Sequence, residues 1–425
     1  MPSYAKQSVV TEESKPRQLT VVREGHGWFE RALNLGAWFA RLLRLPFASL
    51  DLAAIRRQAA RAAGSDDIGD TACLERMGRV LAEVRENDAT SLSYVYFNAL
   101  TKRGLINRMK QQLHFDAHPE IRDVAVRRPI FVLGFPRTGT TILQNLLAQE
   151  PGRRTLKFWE LTRPVPTHDD FGIDRKRRIR ESAADLGIVY RCAPEMAAMH
   201  AVSPTTSEEC WPLFSSSFSA LNMDISSGLR RYGSWLLEQD MTWCYREYRE
   251  RLQMLLHRDP ADQLVLKCPE HLWFLDALLE VFPDACIVWT HRAPMACISS
   301  YCSMVSLNLR TVFGGYDGAA LGAHIQKRFH QGVTRAMAVR ERVGSERFFD
   351  ADFGDLVADP LGMVERINAH FGLGCSPEGR AAMEAYMGAE RKDDRGKHRY
   401  DAERYGLDEA SVESTFAEYT DRFGL

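Results

Sequence analysis

The chain has 425 residues, of which 45% are hydrophobic and 26% charged, proportions typical of a soluble globular protein. Lys and Arg total 55 against 56 Asp and Glu, so the net charge of -1 excludes a surface-wide attraction for polyanions such as nucleic acid, and any anion site is expected to be local. The nine cysteines form no Cys-x2-Cys pair and no Cys/His cluster at zinc spacing, which predicts reduced thiols and no metal site. Because we also find no secretory signal, we expect a cytoplasmic protein.

The first quarter of the chain reads as helical. Residues 1–24 are polar and are expected to form a flexible tail, and the apolar stretch from Trp28 to Pro46, with interspersed Arg residues, reads as a helix. That helix suits a membrane surface, a dimer interface or packing on its own domain. No strand-like alternation interrupts the pattern up to His118, so we predict a helical N-terminal region at 25–125 and an α/β domain at 126–425.

The stretch from Pro129 to Leu147 predicts an anion-binding turn. Ile130–Leu133 is a short apolar run typical of a strand buried on both faces, Gly134 to Gly139 turn the chain, and a helix begins at Thr140. The first N–H groups of such a helix have no intrahelical partner, and the helix dipole favours negative charge there. The Gly-x4-Gly spacing is that of a nucleotide P-loop, but Thr140 stands where a P-loop has Lys.

Two further helices precede the second strand. The basic residues between Asp174 and Leu186 are interspersed with acidic ones, which indicates a solvated helix face rather than a nucleic-acid contact. Trp235–His257 is predicted as one long helix.

Short apolar runs then alternate with helical segments. We predict strands at 264–266, 287–290 and 347–350, separated by helices, and therefore a parallel β-sheet flanked by helices. Ligands of such sheets bind at the C-terminal ends of the strands, where Lys267 and His291 stand. A kinase would place a magnesium-binding Asp at such a strand end, so the residues indicate phosphate binding without Mg·ATP machinery.

Three motifs together resemble the sulfotransferase family. Phe135-Pro-Arg-Thr-Gly-Thr-Thr141 resembles the loop that binds the 5′-phosphosulfate of 3′-phosphoadenosine 5′-phosphosulfate (PAPS), and His291-Arg-Ala-Pro-Met-Ala-Cys-Ile-Ser-Ser300 resembles the segment that holds the 3′-phosphate. The basic stretch Arg391–Tyr400 is similar to the family's late glycine-containing loop. The resemblance runs from about Leu50 to the C-terminus, is nearest to bacterial sulfotransferases with a helical N-terminal extension, and implies their P-loop NTPase-like fold.

The resemblance also implies which residues bind PAPS. The expected donor-binding residues are Arg137, Thr138, Gly139, Thr140, Thr141, Arg292, Ser300, Arg391, Arg395, Gly396, Lys397 and His398. Arg137 replaces the family's Lys and is also a catalytic candidate, because a guanidinium directs two donors at an oxygen where an ammonium acts as a point charge.

The general base is left open by the sequence. Lys267 and His271 resemble the Lys-Thr-His segment of cytosolic sulfotransferases with two extra residues between them, and a His suits proton transfer near neutral pH. Glu208, Glu209 and His200 are the competing bases, because a buried carboxylate can do the same work.

The predicted activity is sulfuryl transfer from PAPS to a hydroxyl or amine of a small-molecule or lipid-like acceptor, without a metal. The alternatives are a P-loop nucleotide-dependent kinase and a non-catalytic nucleotide-binding module. Six aromatic residues are candidates for an apolar acceptor pocket or for the core: Trp211, Phe214, Phe218, Trp243, Tyr301 and Phe313.

Overall fold

A computed structural model of the protein describes residues 27–87, 89–196, 201–390 and 402–425. The predicted tail at 1–24, the candidate base His200 and the basic stretch 391–398 lie outside these ranges.

The described N-terminal part is built of helices. They are α1 (Trp28–Leu42), α2 (Leu52–Ala63), α3 (Ala72–Glu86) and α4 (Ser91–Ala117), with 3-10 helices at Pro46–Ala48 and Pro119–Asp123. Local chemistry sets their ends: Asp51 accepts hydrogen bonds from the first N–H groups of α2, and Gly64 ends that helix in the left-handed region at φ 75°. Thr90 caps α4 in the same way through Ser93 N–H.

The second part contains a five-stranded sheet. Its strands are β1 (Ile130–Gly134), β2 (Arg153–Arg154), β3 (Gln263–Lys267), β4 (Cys286–His291) and β5 (Phe348–Asp352). They are parallel and lie in the order β2-β3-β1-β4-β5, so β1 is central. The register pairs Val132 with Lys267 and Gly134 with Thr290, which brings the ends of β1, β3 and β4 to one edge. The predicted α/β fold class is confirmed.

Helices cover both faces of this sheet. Before β3 the chain forms α5 (Thr140–Leu147), α6 (Phe158–Thr162), α7 (Phe171–Cys192), α8 (Trp211–Ser215), α9 (Asn222–Ile225), α10 (Arg230–Leu236) and α11 (Thr242–Arg258). After β3 it forms a 3-10 helix (Pro269–Phe274), α12 (Leu275–Val281), α13 (Pro294–Phe313), α14 (Gly318–Val343), α15 (Phe353–Ala358), α16 (Pro360–His370), α17 (Pro377–Glu390), a 3-10 helix (Glu403–Tyr405) and α18 (Glu409–Phe423).

Alternate residues of the strands supply two hydrophobic cores. Phe131 and Leu133 of β1 point into a large core that also contains Val80 of α3 and Phe97 of α4. Ile130 and Val132 point into a smaller core against α5, α16 and α17. The N-terminal helices therefore share a core with the sheet, and the division at residue 125 stays a prediction.

Two helices differ from the sequence prediction. The helix predicted at 235–257 is broken: α10 ends at Leu236, and Asp240 accepts a hydrogen bond from Thr242 N–H, which starts α11 afresh. The charged helix α7 exposes most of its basic residues, but Arg178 is buried, pairs with buried Asp174 at 2.8 Å and lies over the ring of Trp159. The buried face of α7 thus contains an ion pair, which the composition of the helix did not predict.

The outer face of α1 is apolar and exposed. Trp28, Leu42 and Leu43 are 81%, 63% and 67% exposed, whereas Ala37 and Ala40 pack inward. The helix lies against α4 and α7. Across the described ranges, every helix is too short or too polar to cross a membrane.

Candidate active site

A cavity of about 450 Å³ lies at the edge where β1, β3 and β4 end. Its walls come from the loop after β1, the first turn of α5, the segment before α8, the turn after β3, and α13. The polar residues that line it are Arg137, Thr140, Thr141, Glu208, Glu209, Asn222, Ser226, Glu270, Arg292 and Asn308. Residues from distant parts of the chain therefore converge here, as expected for the switch region of a parallel sheet.

The loop after β1 has the backbone conformation of an anion cradle. Gly134 (φ 142°), Arg137 (φ 73°) and Gly139 (φ 83°) all have positive φ. A Cβ at Gly139 would lie 2.6 Å from Leu356 Cδ2, so a side chain has no room there. The N-cap residue of α5 is Gly139, so the N-cap position offers no side-chain acceptor to the first N–H groups of the helix, the groups that bind anions at helix N-termini.

Arg292 braces this loop from the end of β4. Its Nη1 donates a 2.7 Å hydrogen bond to the carbonyl oxygen of Arg137, and its guanidinium lies 4.1 Å above the centre of the Phe353 ring. The two contacts hold a cation at the rim of the cavity. Phe353 directly follows β5. Because ligands bind at strand ends, its position after a predicted strand could have identified it from the sequence.

Lys267 ends β3 with its side chain 1% exposed. Its Nζ lies 3.2 Å from Thr141 Oγ1 and 3.3 Å from Glu209 Oε1, so it joins the cradle to a carboxylate. Burial alone would lower the pKa of this ammonium, but the nearby carboxylates of Glu209 and Glu208 more than offset burial and raise the pKa above its usual value. Lys267 is therefore a permanent positive charge beneath the cavity.

Glu208 and Glu209 lie in the cavity wall because the backbone around them is tied to the end of β3 and to Leu156, two residues after β2. Glu208 N–H donates to Leu156 O at 3.2 Å, and Cys210 N–H donates to Lys267 O at 2.9 Å. The Glu208 side chain is buried, and that of Glu209 is 26% exposed. Both predicted carboxylates thus reach the cavity.

Glu270 is a third carboxylate in the wall, and the sequence analysis missed it. It accepts 2.8 Å hydrogen bonds from the backbone N–H groups of Leu221 and Asn222, which begin α9. Burial raises the pKa of Glu270 to about 8; the two N–H donors oppose that rise and nearby Glu209 adds to it. Its position in the Lys267–His271 segment, directly before the candidate base His271, is the feature of the sequence that could have identified it.

His271 lies outside the cavity lining. It is fully buried, with Nδ1 2.8 Å from Tyr245 Oη and the ring packed edge-on against Phe131. Burial lowers its pKa to about 3. The segment forms a 3-10 helix rather than starting an α-helix at Leu272, and a 3-10 helix turns roughly 120° per residue, so Glu270 and His271 face different directions.

Two predicted donor-binding side chains face the protein interior. Thr138 Oγ1 donates to Phe135 O at 2.7 Å and contacts Thr290 Oγ1 at 2.5 Å, so its hydroxyl is used within the loop. Ser300 is buried in α13 and does not line the cavity.

The rest of the cavity wall is largely apolar. It includes Trp211, Pro212, Ile225, Tyr301 and Met304, with Asn222, Ser226 and Asn308 as its polar members. Of the other aromatic candidates, Phe214 and Phe218 are buried in the large core, and Trp243 and Phe313 pack against it. The cavity therefore has a cationic end and a largely apolar end.

A parallel sheet with a glycine-bounded loop after its central strand, Thr140 where a P-loop has lysine and basic residues at other strand ends is an α/β arrangement that differs from that of a kinase. A family model, that of the Sulfotransferase family, matches residues 129–377. The chain belongs to the sulfotransferase family, and the predicted resemblance is confirmed.

Similar proteins agree with this assignment. The crystal structure of sulfotransferase STF1 from Mycobacterium tuberculosis superposes with a TM-score of 0.75 at 31% identity, covering 86% of this chain and 97% of that one. Sulfotransferase STF9 from Mycobacterium avium gives 0.78 at 28% identity, covering 87% and 95%. The omega-hydroxy-beta-dihydromenaquinone-9 sulfotransferase Stf3 of Mycobacterium bovis is 25% identical over 268 residues, which are 58% of this chain and 63% of that protein.

The buried state of His271 predicts an acid-sensitive stability. The unfolded imidazole takes up a proton near its usual pKa of 6.5, whereas the folded one does so only near 3. Between these values the unfolded state binds more protons, so this residue lowers the free energy of unfolding by up to about 1.4 kcal/mol per pH unit as the pH falls. We expect the free energy of unfolding, measured with urea, to fall less steeply between pH 6.5 and pH 4 in His271→Gln than in the wild type. An identical dependence of this free energy on pH in both proteins would mean that His271 is protonated in the fold.

Proposed function

We propose that this protein transfers a sulfuryl group from PAPS to a hydroxyl of a lipid-like acceptor, with an amine as the second acceptor class. The observation that carries the proposal is the N-terminus of α5, which begins after Gly139 and lines one cavity together with Arg137 and Arg292. A kinase would need Lys at position 140 and an Asp after β3 or β4, where this chain has Thr140, Cys268 and Arg292. Family membership supports the same reading.

The cradle residues suit the 5′-phosphosulfate. PAPS, when bound, supplies the sulfuryl group. The first-turn N–H groups at Gly139, Thr140 and Thr141 donate to anionic oxygens, and Thr138 contributes its backbone rather than its hydroxyl. Arg137 lies on the cavity side of the loop and adds a cation.

Arg292 suits the donor's 3′-phosphate. A phosphate monoester carries nearly two charges, and charge-assisted hydrogen bonds to it contribute about 1.5–3 kcal/mol each. Arg292 is already oriented by Phe353 and by the carbonyl of Arg137. The family resemblance suggests further candidates for the same phosphate. They are Ser300 on α13 and, outside the described ranges, Arg391, Arg395, Gly396, Lys397 and His398.

We assign Glu209 as the general base and Lys267 as the electrostatic partner. Glu209 lines the cavity. It is linked to the loop after β1 through Lys267, because the Lys267 ammonium contacts both Glu209 and Thr141. A carboxylate in this position takes the proton of an acceptor hydroxyl, while the Lys267 charge stabilises negative charge that develops at the cradle. Glu208 and Glu270 are the neighbouring carboxylates, and the burial of His271 argues against it.

The apolar end of the cavity suits an oily acceptor. Trp211, Tyr301 and Met304 offer surface for hydrocarbon, and Ile225 closes the same wall. The name of the Mycobacterium bovis relative describes a sulfotransferase of a hydroxylated menaquinone derivative. By analogy we propose a hydroxyl attached to a largely apolar molecule.

We further propose that α1 contacts the cytoplasmic face of a membrane. Its exposed Trp28, Leu42 and Leu43 are accompanied by exposed Arg31 and Arg44, the combination of aromatic, aliphatic and basic residues that suits an anionic lipid surface. The nine unpaired cysteines are consistent with a reducing compartment.

Calorimetry tests donor binding. We expect 3′-phosphoadenosine 5′-phosphate to bind without magnesium and more tightly than ATP or GTP, because the cradle holds phosphate without metal ligands. Arg292→Ala should weaken binding roughly 10- to 100-fold, the equivalent of about one lost charge-assisted hydrogen bond. Arg292→Lys separates loss of charge from loss of the loop contact, and Arg246→Ala, at an exposed ion pair, is the matched control. Binding of Mg·ATP alone would overturn the proposal.

Kinetics tests the base. Glu209→Gln should lower kcat by about 10²- to 10⁴-fold with little change in donor affinity, the usual contribution of general-base catalysis. His271→Gln should retain turnover. If Glu270 were the base instead, wild-type kcat would rise as the pH passes about 8, because only the ionised carboxylate accepts a proton; such a rise together with an active Glu209→Gln would exclude Glu209.

Vesicle flotation tests the α1 surface. Wild type should float with vesicles containing phosphatidylglycerol, and the triple change Trp28→Ser, Leu42→Ser, Leu43→Ser should weaken that binding at least tenfold, because each buried apolar side chain contributes about 1.5–3 kcal/mol. A control triple, Ile173→Ser, Val343→Ser, Val357→Ser, removes apolar residues exposed elsewhere. Absence of flotation, with a dimer that the α1 triple dissociates, would assign the face to a second copy.

A further inference from the structure

A second cavity, of about 210 Å³, adjoins the candidate active site. The two cavities share four lining residues: Phe158, Trp211, Pro212 and Asn222. The second cavity extends from this shared wall between α4 and α7, away from the cationic end of the first. The shared side chains are thus the partition between the two spaces.

The second cavity reaches the protein surface. Tyr96 of α4 and Val189 of α7 line it and are 48% and 45% exposed. At its rim Arg103 pairs with Asp185 at 2.9 Å, which ties the two helices together. Both helices also pack against α1, so the opening lies beside the helix that carries the exposed apolar face.

The first cavity is small for the two molecules that the proposed reaction brings together. At about 450 Å³ it lies near the low end of the range for a single bound ligand, roughly 300–1,000 Å³. A nucleotide and the head of an acceptor fill such a volume. An acceptor with a long chain therefore needs a continuation, and the apolar side of the shared wall, Phe158 and Trp211, leads to Leu100 and Met223 in the second cavity.

We propose that the second cavity is a subsite for the apolar tail of the acceptor. The hydroxyl lies at Glu209, the chain passes the partition at Phe158 and Trp211, and its far end leaves between α4 and α7. The ligand class is a single extended hydrocarbon chain, saturated or isoprenoid, that carries the reacting hydroxyl at one end. This inference rests on the proposed sulfuryl transfer only for the identity of the reacting head.

The test uses a filling substitution that leaves the catalytic residues in place. Asn107 lies on α4, is half-buried and lines only the second cavity. Asn107→Trp should occupy that space. Leu113→Trp is the matched control, since Leu113 is an exposed residue of the same helix that lines neither cavity. Val189→Trp at the opening, with Ile173→Trp on the same helix as its control, provides a second pair if Asn107→Trp folds poorly.

The readout is the dependence of KM on chain length for a series of primary alcohols. In the wild type KM should fall about fourfold for each methylene that enters the subsite. Asn107→Trp should remove this dependence, raising KM for long alcohols at least tenfold while KM for short alcohols, kcat and binding of 3′-phosphoadenosine 5′-phosphate stay unchanged. The same dependence in Asn107→Trp and Leu113→Trp would overturn the proposal.

Direct binding separates this proposal from the proposed reaction. A fluorescent long-chain alcohol should bind the wild type and Leu113→Trp but bind Asn107→Trp at least tenfold more weakly, whether or not sulfate is transferred. If the probe behaves in this way and no alcohol is sulfated, the subsite stands and the assigned reaction fails. If alcohols are sulfated and the probe binds all variants equally, the reaction stands and the subsite fails.

Discussion

The active-site loop depends on a close approach between Gly134 and Thr290, where β1 and β4 end side by side. A Cβ at Gly134 would lie 2.2 Å from Thr290 Oγ1, so only glycine fits. Thr290 Oγ1 donates to Leu133 O and contacts Thr138 Oγ1, which ties the loop to the neighbouring strand. Because the chain is fixed at this point, it can turn through left-handed residues and present the first turn of α5 to the cavity. The same strand end carries Arg292, so one contact orients both the backbone donors and a cation.

Charge in the cavity is arranged locally within a chain that is almost neutral. Arg137 and Arg292 stand at the cationic end, and three carboxylates stand along the wall. Lys267 links the two groups: it is buried, yet Glu209 and Glu208 keep its pKa high, so it remains charged. A buried ammonium is tolerated only with such partners, and the pair in turn holds Glu209 beside the cradle. Removal of either member therefore changes the electrostatics of the other, and variants at Glu209 and Lys267 should not behave additively.

The sequence was most informative where the physics is local. Short apolar runs predicted β1, β3 and β4, and the candidate strand at 347–350 predicted β5, all to within two residues at either end. The glycines around Arg137 predicted the turn after β1. It was least informative where the side-chain direction depends on a turn type. Glu270 and His271 are adjacent, and only the 3-10 geometry after Pro269 decides which one faces the cavity. Similarly, nothing in the composition of α7 distinguishes buried Arg178 from its exposed neighbours, because its burial is set by Asp174 and by the distant ring of Trp159.

The shared core explains how the two ends of the cavity are built from different parts of the chain. The cationic end lies at the strand ends, whose positions are fixed by sheet register. The apolar end and the adjoining second cavity are bounded by α4, α7 and α8, which lie outside the sheet. Since α4 packs into the same core as β1, the helical region is positioned by the sheet without contributing to the cradle. Substitutions on α4 and α7 can therefore change the second cavity while the strand ends keep their geometry. On the assignment we propose, acceptor selection is thereby separated from the chemistry of transfer.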